Sequence, residues 1–344
     1  MSTLKHRIKQ GVSLKKYSTF KIGGKANFFV EVDDLQRLEG VLGWAQDHQQ
    51  KVFILGGGSN LLFMDEGFDG LVIKLANKDI KTEINNDTVK IRCGAGTSLS
   101  KLVATSFKNS LVGLEWAAGI PGTVGGAVRG NAGAFGGEMK NVITEVQAIS
   151  LRTCKMTKNT YSSVIIYPNE LGEEIAENCK NIIQTFNNRD CDFKYRSSVF
   201  KENNGLMIWE VEFRLVSGDG RESKKIATEN IKKRDAKQPS VTKFPSAGSI
   251  FKNPKVSKEV QKKFKHDTGV ETDGGKVPAG WLVGRCGLRG KKIGEAKVSD
   301  KHGNFIINTG KATANDIMLL ISIIKTKVRN KYGVQLQEEI CIVH

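Results

Sequence analysis

The chain has 344 residues, 39% of them hydrophobic and 26% charged, with a formal net charge of +17 at pH 7. These are globular values, with apolar material for two or three domains at roughly 150 residues each. They exclude a disordered, fibrous or disulfide-stapled miniature chain. The six cysteines are scattered with no Cys-x-x-Cys pair, and the five histidines show no metal-ligand spacing. Free thiols and no metal are therefore expected. Met1–Gln10 is basic but lacks the apolar stretch of a signal peptide. The strongest apolar run, Ile317–Ile324, falls far short of the ~20 residues that span a bilayer. No membrane insertion is expected, and a cytoplasmic location is. The positive charge is spread through every segment rather than gathered in a block, so no nucleic-acid partner is expected. Anionic small ligands gain from such a field.

In chain order, residues 17–32 end in a strand-like run. Asp33 or Asp34 then caps a helix predicted over Leu35–Gln49, with apolar residues at 35, 38, 41, 42 and 45. A strand at 51–55, the loop Gly56-Gly57-Gly58-Ser59-Asn60 and a strand at 70–75 complete a first α/β unit. A second begins with a strand over Thr88–Cys93, a turn at Gly94–Gly96 and a helix from Ser98 or Ser100 to Asn109. It enters the glycine-rich segment Gly119–Glu138, whose spacing suits neither helix nor strand, and returns to strands near 142–151 and 207–216. Thr153–Asp192 is polar and reads as an inserted surface excursion with a short helix around Glu173–Phe186. A charged helix over Ser223–Lys237 leads to the last third, where Ala279–Gly287 and Thr313–Lys331 are predicted helices.

Two glycine-rich loops in one half of a chain point to a large phosphate-bearing cofactor, because bare backbone N–H groups can approach phosphates closely. Neither fits the commonest patterns. Leu61 stands where a dinucleotide fingerprint needs its third glycine, and no Gly-x4-Gly-Lys-[Ser/Thr] run occurs. Thr123 and Asn131 add polar side chains to the second loop. The plainer alternative is a set of tight turns.

Several blocks together resemble a known family. They are Tyr17-Ser-Thr-Phe-Lys-Ile-Gly-Gly24, the Gly56 loop with Leu61-Leu62, Gly119–Gly137, Tyr195-Arg-Ser-Ser198 and Pro245-Ser-Ala-Gly-Ser-Ile-Phe-Lys-Asn-Pro254. Ala279-Gly-Trp-Leu282, Lys297–Phe305 and Gly333-Val-x-Leu-x-x-Glu339 complete the set. Their order is that of the UDP-N-acetylenolpyruvoylglucosamine reductases of bacterial cell-wall synthesis, over about residues 15–150 and 193–343. The resemblance implies an α+β fold: an FAD-binding domain of the vanillyl-alcohol-oxidase type made of two α/β subdomains, plus a C-terminal α+β substrate domain. The expected boundaries are 1–76, 77–218 with an insertion at 153–192, and 219–344, the last strand packing back on the FAD domain.

It also implies noncovalent FAD, NADPH as reductant and a UDP-sugar enolpyruvyl ether as substrate. The expected FAD contacts are Gly56, Gly57, Gly58, Ser59 and Asn60, then Gly119, Ile120, Pro121, Gly122, Thr123, Gly125, Gly126, Asn131 and Gly133. By similarity Ser249 is the proton donor, Arg196 grips the enolpyruvyl carboxylate, and Glu339 orients the reacting end. Tyr195, Lys252, Asn253 and Asn304 are expected substrate contacts. Glu338 lies beside Glu339, and strand alternation puts the two on opposite faces; the spacing from Gly333 selects Glu339. Cys93, Cys154, Cys179 and Cys191 remain formal flavin tethers.

Overall fold

Asp34 starts the first helix: its carboxylate accepts the Arg37 N–H at 2.7 Å, and Leu35–Asp47 follows with Leu38, Val41, Leu42 and Ala45 buried. That helix joins two strands, Lys25–Val32 and Val52–Leu55, which both run parallel to Phe68–Leu75 between them. A buried parallel strand must be apolar on both faces, and Leu71, Val72 and Ile73 are fully buried. In this computed structural model the described residues are 8–85, 88–151, 165–166 and 183–344.

Contacts divide the chain into two units. One holds residues up to 12, 25–57 and 68–234; the other holds 13–24, 58–67 and 235–344. The first unit contains a five-stranded sheet in the order Lys9–Ser13, Lys25–Val32, Phe68–Leu75, Val52–Leu55 and Ile165–Ile166. It also contains an antiparallel sheet in the order Ile183–Asn187, Ile143–Ser150, Leu206–Ser217, Thr88–Gly94 and Ile80–Asn85, with Leu111–Val112 pairing Leu206–Ser217. Helices Leu99–Lys108 and Gly220–Lys237 belong to the same unit.

The second unit is built around Phe20, Ile250, Phe251, Leu282, Ile317 and Ile321. Its long helix, Ala314–Tyr332, is bounded by a reciprocal capping box between Thr313 and Asp316 and by Gly333 at φ 66°. Buried Ile317, Leu320, Ile321, Ile324 and Val328 form one stripe. Each such side chain contributes ~1.5–3 kcal/mol on burial, against about 1 kcal/mol for a cap. Packing therefore holds the helix and the caps set its ends. In parallel pairing, Cys341–Val343 joins Leu61–Phe63.

Three expectations need correction. The glycine-rich segment does contain a helix, Val124–Arg129, whose start is capped by Thr123. Residues 183–186 are strand rather than helix, because they pair with Ile143–Ser150 in register. The described parts of 153–192 are not a detached excursion: 165–166 and 183–187 add strands to the edges of both sheets. An open sheet edge offers unpaired backbone groups, and these segments satisfy them. The rest of the predicted helix, 173–182, lies outside the described residues.

Candidate active site

The two glycine loops meet within the first unit. A Cβ on Gly57 would stand 2.7 Å from the Gly122 Cα, and one on Gly56 would stand 2.7 Å from the Thr123 Oγ1. Backbone is packed on backbone, which only glycine permits. A Cβ on Gly125 would lie 2.8 Å from that of Ala95. The N–H groups of Val124 and Gly125 donate to Thr97 O at 2.8 Å and Ala95 O at 2.9 Å. Those two donors are therefore spent inside the protein. The Thr97 Oγ1, by contrast, is buried without a hydrogen-bond partner among the described residues.

The unit boundary falls between Gly57 and Gly58. Gly58, at φ 63°, lies against the Tyr17 carbonyl so closely that no other residue fits. Its own carbonyl accepts the Thr19 N–H at 3.1 Å, and the Thr19 hydroxyl donates to Ser246 O at 2.7 Å. Asn60 takes up the last strand instead: its amide donates to Glu339 O at 3.0 Å, and its carbonyl accepts Cys341 N–H at 2.9 Å.

Asn131 is 1% exposed and adopts φ 40°. Its amide donates to Glu138 at 2.7 Å and to Lys194 O at 3.1 Å, and its carbonyl accepts Lys140 N–H at 3.1 Å. The side chain thus ties the glycine segment to the Lys194–Ser197 turn. In that turn Lys194 and Ser197 exchange two backbone hydrogen bonds across Tyr195 and Arg196. Arg196 sits at φ 58°, a left-handed conformation costing an L-residue roughly 1–2 kcal/mol. Its Nη2 donates to Gly133 O at 3.1 Å, and its guanidinium lies 5.4 Å from the Tyr195 ring.

Gly133–Ala134 and Gly137–Glu138 form a two-stranded hairpin whose central residues are Phe135 at φ 50° and Gly136 at φ 85°. Two positive φ values mark the mirror-image hairpin turn, which favours Asn or Gly at both positions. Phe135 is nevertheless 48% exposed at that tip, with the Arg234 guanidinium 5.5 Å from its ring. Sequence reading passed over Phe135. The available signal was a bulky residue in a turn otherwise made of glycine and alanine.

In the second unit the serine turn is clipped on both sides. Asn304, 3% exposed, accepts Phe251 N–H at 2.9 Å and donates to Phe251 O at 2.8 Å, while its own carbonyl accepts Ile250 N–H at 2.9 Å. On the other side Glu339 N–H donates to Ile250 O at 2.7 Å and Lys252 N–H to Gln337 O at 2.9 Å. Phe251 pairs antiparallel with Glu338, so Glu339 stands opposite Ile250, the residue that follows Ser249. Glu338 is engaged by Lys325 at 2.8 Å on the long helix. Asn253 turns away to accept Ala279 N–H at 3.0 Å at the start of helix Ala279–Arg285. Ser249 and Lys252 are half-buried.

A family model for the C-terminal domain of UDP-N-acetylenolpyruvoylglucosamine reductase matches residues 238–343, and one for an FAD binding domain matches 26–156. The reductase of that name from Carboxydothermus hydrogenoformans is 37% identical over 95% of this chain and 91% of its own. The chain belongs to the UDP-N-acetylenolpyruvoylglucosamine reductase family. The reductase from Alkaliphilus oremlandii is 34% identical over 96% of this chain and 91% of its own. The crystal structure of the Thermus caldophilus enzyme superposes with a TM-score of 0.70 at 28% identity, covering 98% and 99% of the two chains. The family places an FAD-binding domain where the two glycine loops converge.

The chain's own residues fit that cofactor. Gly56 and Gly57 carry no side chain where they pack on the Thr123 hydroxyl and the Gly122 backbone, and bare backbone of this kind lets phosphates approach closely. A covalent tether finds no support from Cys93 or Cys191: burial pushes both thiols up to about 12, far from the reactive thiolate. Cys154 and Cys179 lie outside the described residues. His302 is held below its usual range by burial and then by Arg289, and its Nδ1 accepts Asn304 N–H at 3.2 Å. Its neutral ring braces the turn that positions Asn304. Among the described residues, no helix is long and apolar enough to cross a membrane.

Proposed function

We infer that this chain uses NADPH to reduce UDP-N-acetylglucosamine enolpyruvate to UDP-N-acetylmuramate, the reaction of its family in peptidoglycan synthesis. We place it in the cytoplasm, where NADPH and UDP-sugars are made. FAD, when bound, would supply the hydride chemistry that links NADPH to the enolpyruvyl group. The protein's task is to hold the substrate, bear the charge that develops on it and supply one proton.

Hydride arriving at the terminal carbon leaves enolate character on the carboxylate end of the substrate. Arg196 is the proposed grip on that carboxylate, since a guanidinium fork binds two oxygens in a fixed plane. Its left-handed backbone supports the assignment: the strain persists because the Lys194–Ser197 turn and the bond to Gly133 over-determine it. Ser249 is the proposed donor of the proton to the adjacent carbon. A serine is a weak acid, but an enolate is a strong base, so a positioned hydroxyl suffices.

Glu339 is the proposed orienting carboxylate. The observation that supports this reading is the pairing of Ile250–Lys252 with Gln337–Glu339, which brings the Glu339 backbone to Ile250, the residue after Ser249, while Lys325 engages Glu338. Asn304 then acts by holding the serine turn rather than by touching substrate, because both ends of its amide are spent on the turn's backbone. Asn131 likewise braces the Arg196 turn. Phe135 is proposed as a ring contact to a bound group, the reason a strained aromatic stays exposed at a hairpin tip.

The test is an anaerobic absorbance series on the purified protein. Flavin bands that bleach with NADPH and return with UDP-N-acetylglucosamine enolpyruvate are expected. Bands that bleach and stay bleached would overturn the substrate assignment, and a colourless protein that takes up no FAD would overturn the whole reading.

A further inference from the structure

The second unit carries a pocket lined by none of the residues assigned to the reaction above. It has a volume of about 400 Å³ and is lined by Lys262, Lys263, His266 and Asp267 of one helix, Trp281 and Arg285 of another, and Tyr332. Its chemistry is divided. The aromatic part is a continuous cluster: Trp281 meets Phe264 edge-on at 5.3 Å between centroids and lies 5.7 Å from Tyr332. The Trp281 Nε1–H is buried and has no acceptor among the described residues. The charged part sets three cations and a histidine against a single lining carboxylate, Asp267, which is already held by Arg285 at 3.0 Å. Lys263 also reaches Glu259 at 2.7 Å outside the lining, whereas Lys262 has no ion pair among the described residues.

Two aromatic rings, Trp281 and Tyr332, tilted 40° to each other beside an excess of cationic groups suit a ligand with a planar ring at one end and an anion at the other. The volume is that of a small-molecule site. We propose that this pocket binds a nucleotide phosphate, its base against Trp281 and Tyr332 and its phosphate between Lys262, Lys263 and His266. The site is joined to the serine turn by one short helix. Asn253 caps the Ala279 end, and Arg285 stands in the pocket six residues on, roughly 9 Å along the axis at 1.5 Å per residue. Two sources share this chemistry: a free nucleotide, and the adenosine 2′-phosphate end of NADPH.

The experiment is equilibrium dialysis of the FAD-loaded protein with labelled AMP at low and high salt, which needs no turnover and so stands apart from the proposed reaction. Saturable binding is expected, weakened by salt and at least tenfold weaker in Lys262→Gln/Lys263→Gln, whose exposed side chains leave folding and flavin content unchanged. Trp281→Phe, which keeps a ring but removes the indole, should weaken binding by a smaller factor. Adenosine and inorganic phosphate should each compete poorly. If NADPH and 2′-AMP displace AMP, and the double variant raises the KM for NADPH, the source is the dinucleotide. If AMP binds undisturbed by NADPH, the source is a free nucleotide. Absence of saturable binding, binding that survives the double lysine change, or phosphate alone competing as well as AMP would each overturn the proposal.

Discussion

Around Gly56, Gly57 and Gly122–Gly126 the first unit works by lacking side chains; around Ser249 and Glu339 the second works by placing them. The first region brings bare backbone into close contact, so its chemistry is that of peptide groups. The second fixes a short turn through Asn304 on one side and Gln337–Glu339 on the other, so that a few side chains are presented at defined positions. The two constructions should fail differently. Added bulk ought to ruin the first, whereas lost functional groups ought to ruin the second while leaving its shape intact.

The largest expected effect breaks the first region. In Gly57→Ala the new methyl meets the Gly122 backbone, which cannot swing aside as a side chain would. Overpacking of this kind costs about 1–3 kcal/mol, equivalent to a roughly 5- to 150-fold loss of flavin affinity. Flavin content per chain after purification measures it, and full retention would remove the cradle from the account. In the second region, Glu339→Gln should slow flavin reoxidation by substrate by about 10²-fold while Glu338→Gln changes it little. Rapid-mixing measurement of that half-reaction decides between the two glutamates.

A smaller effect tests how the serine turn is held. Asn304→Ala leaves the N–H and the carbonyl of Phe251 without partners, at a cost of about 1–3 kcal/mol each if they stay dry, while the Ile250 N–H keeps the backbone carbonyl of residue 304. Reoxidation should slow along with a lower melting temperature, whereas flavin reduction by NADPH should not. The smallest effect has the opposite sign. Phe135→Asn places a favoured residue at the strained hairpin position and should stabilise the fold by up to about 1 kcal/mol. Turnover should fall in the same variant. A stabilised protein with undiminished activity would show that Phe135 has no ligand.

Much of this was legible in the sequence because local chemistry decided it. Asp33 or Asp34 announced one helix start, the span Thr313–Lys331 a second helix, and the paired glycine loops a phosphate-bearing cofactor. Where the reading failed, tertiary partners had overruled local signals. The helix Val124–Arg129 has poor intrinsic propensity, yet the Thr123 cap and the carbonyls of Ala95 and Thr97 take up its first donors. Helix Lys258–Thr268 was passed over because only Val260 and Phe264 are buried in a charged segment. Residues 183–186 suit either state in isolation, and the neighbouring strand makes them β. The joining of Leu61–Phe63 to Cys341–Val343 has no local signature, since its partners lie at opposite ends of the chain. At the site, residue types were legible but their employment was not. Asn131 and Asn304 read as ligand contacts, and the bonds their side chains make to neighbouring backbone, and for Asn131 also to Glu138, depend wholly on what folds around them.

The most direct test of the contrast between the two regions is rapid mixing of Ser249→Ala, with each half-reaction followed separately through the flavin absorbance. Flavin content and bleaching by NADPH should match the parent protein, while the return of colour with UDP-N-acetylglucosamine enolpyruvate should slow by about 10²–10⁴-fold, the usual worth of a positioned acid. Equal slowing of both half-reactions, or an unimpaired return of colour, would contradict the assignment of proton delivery to the serine turn.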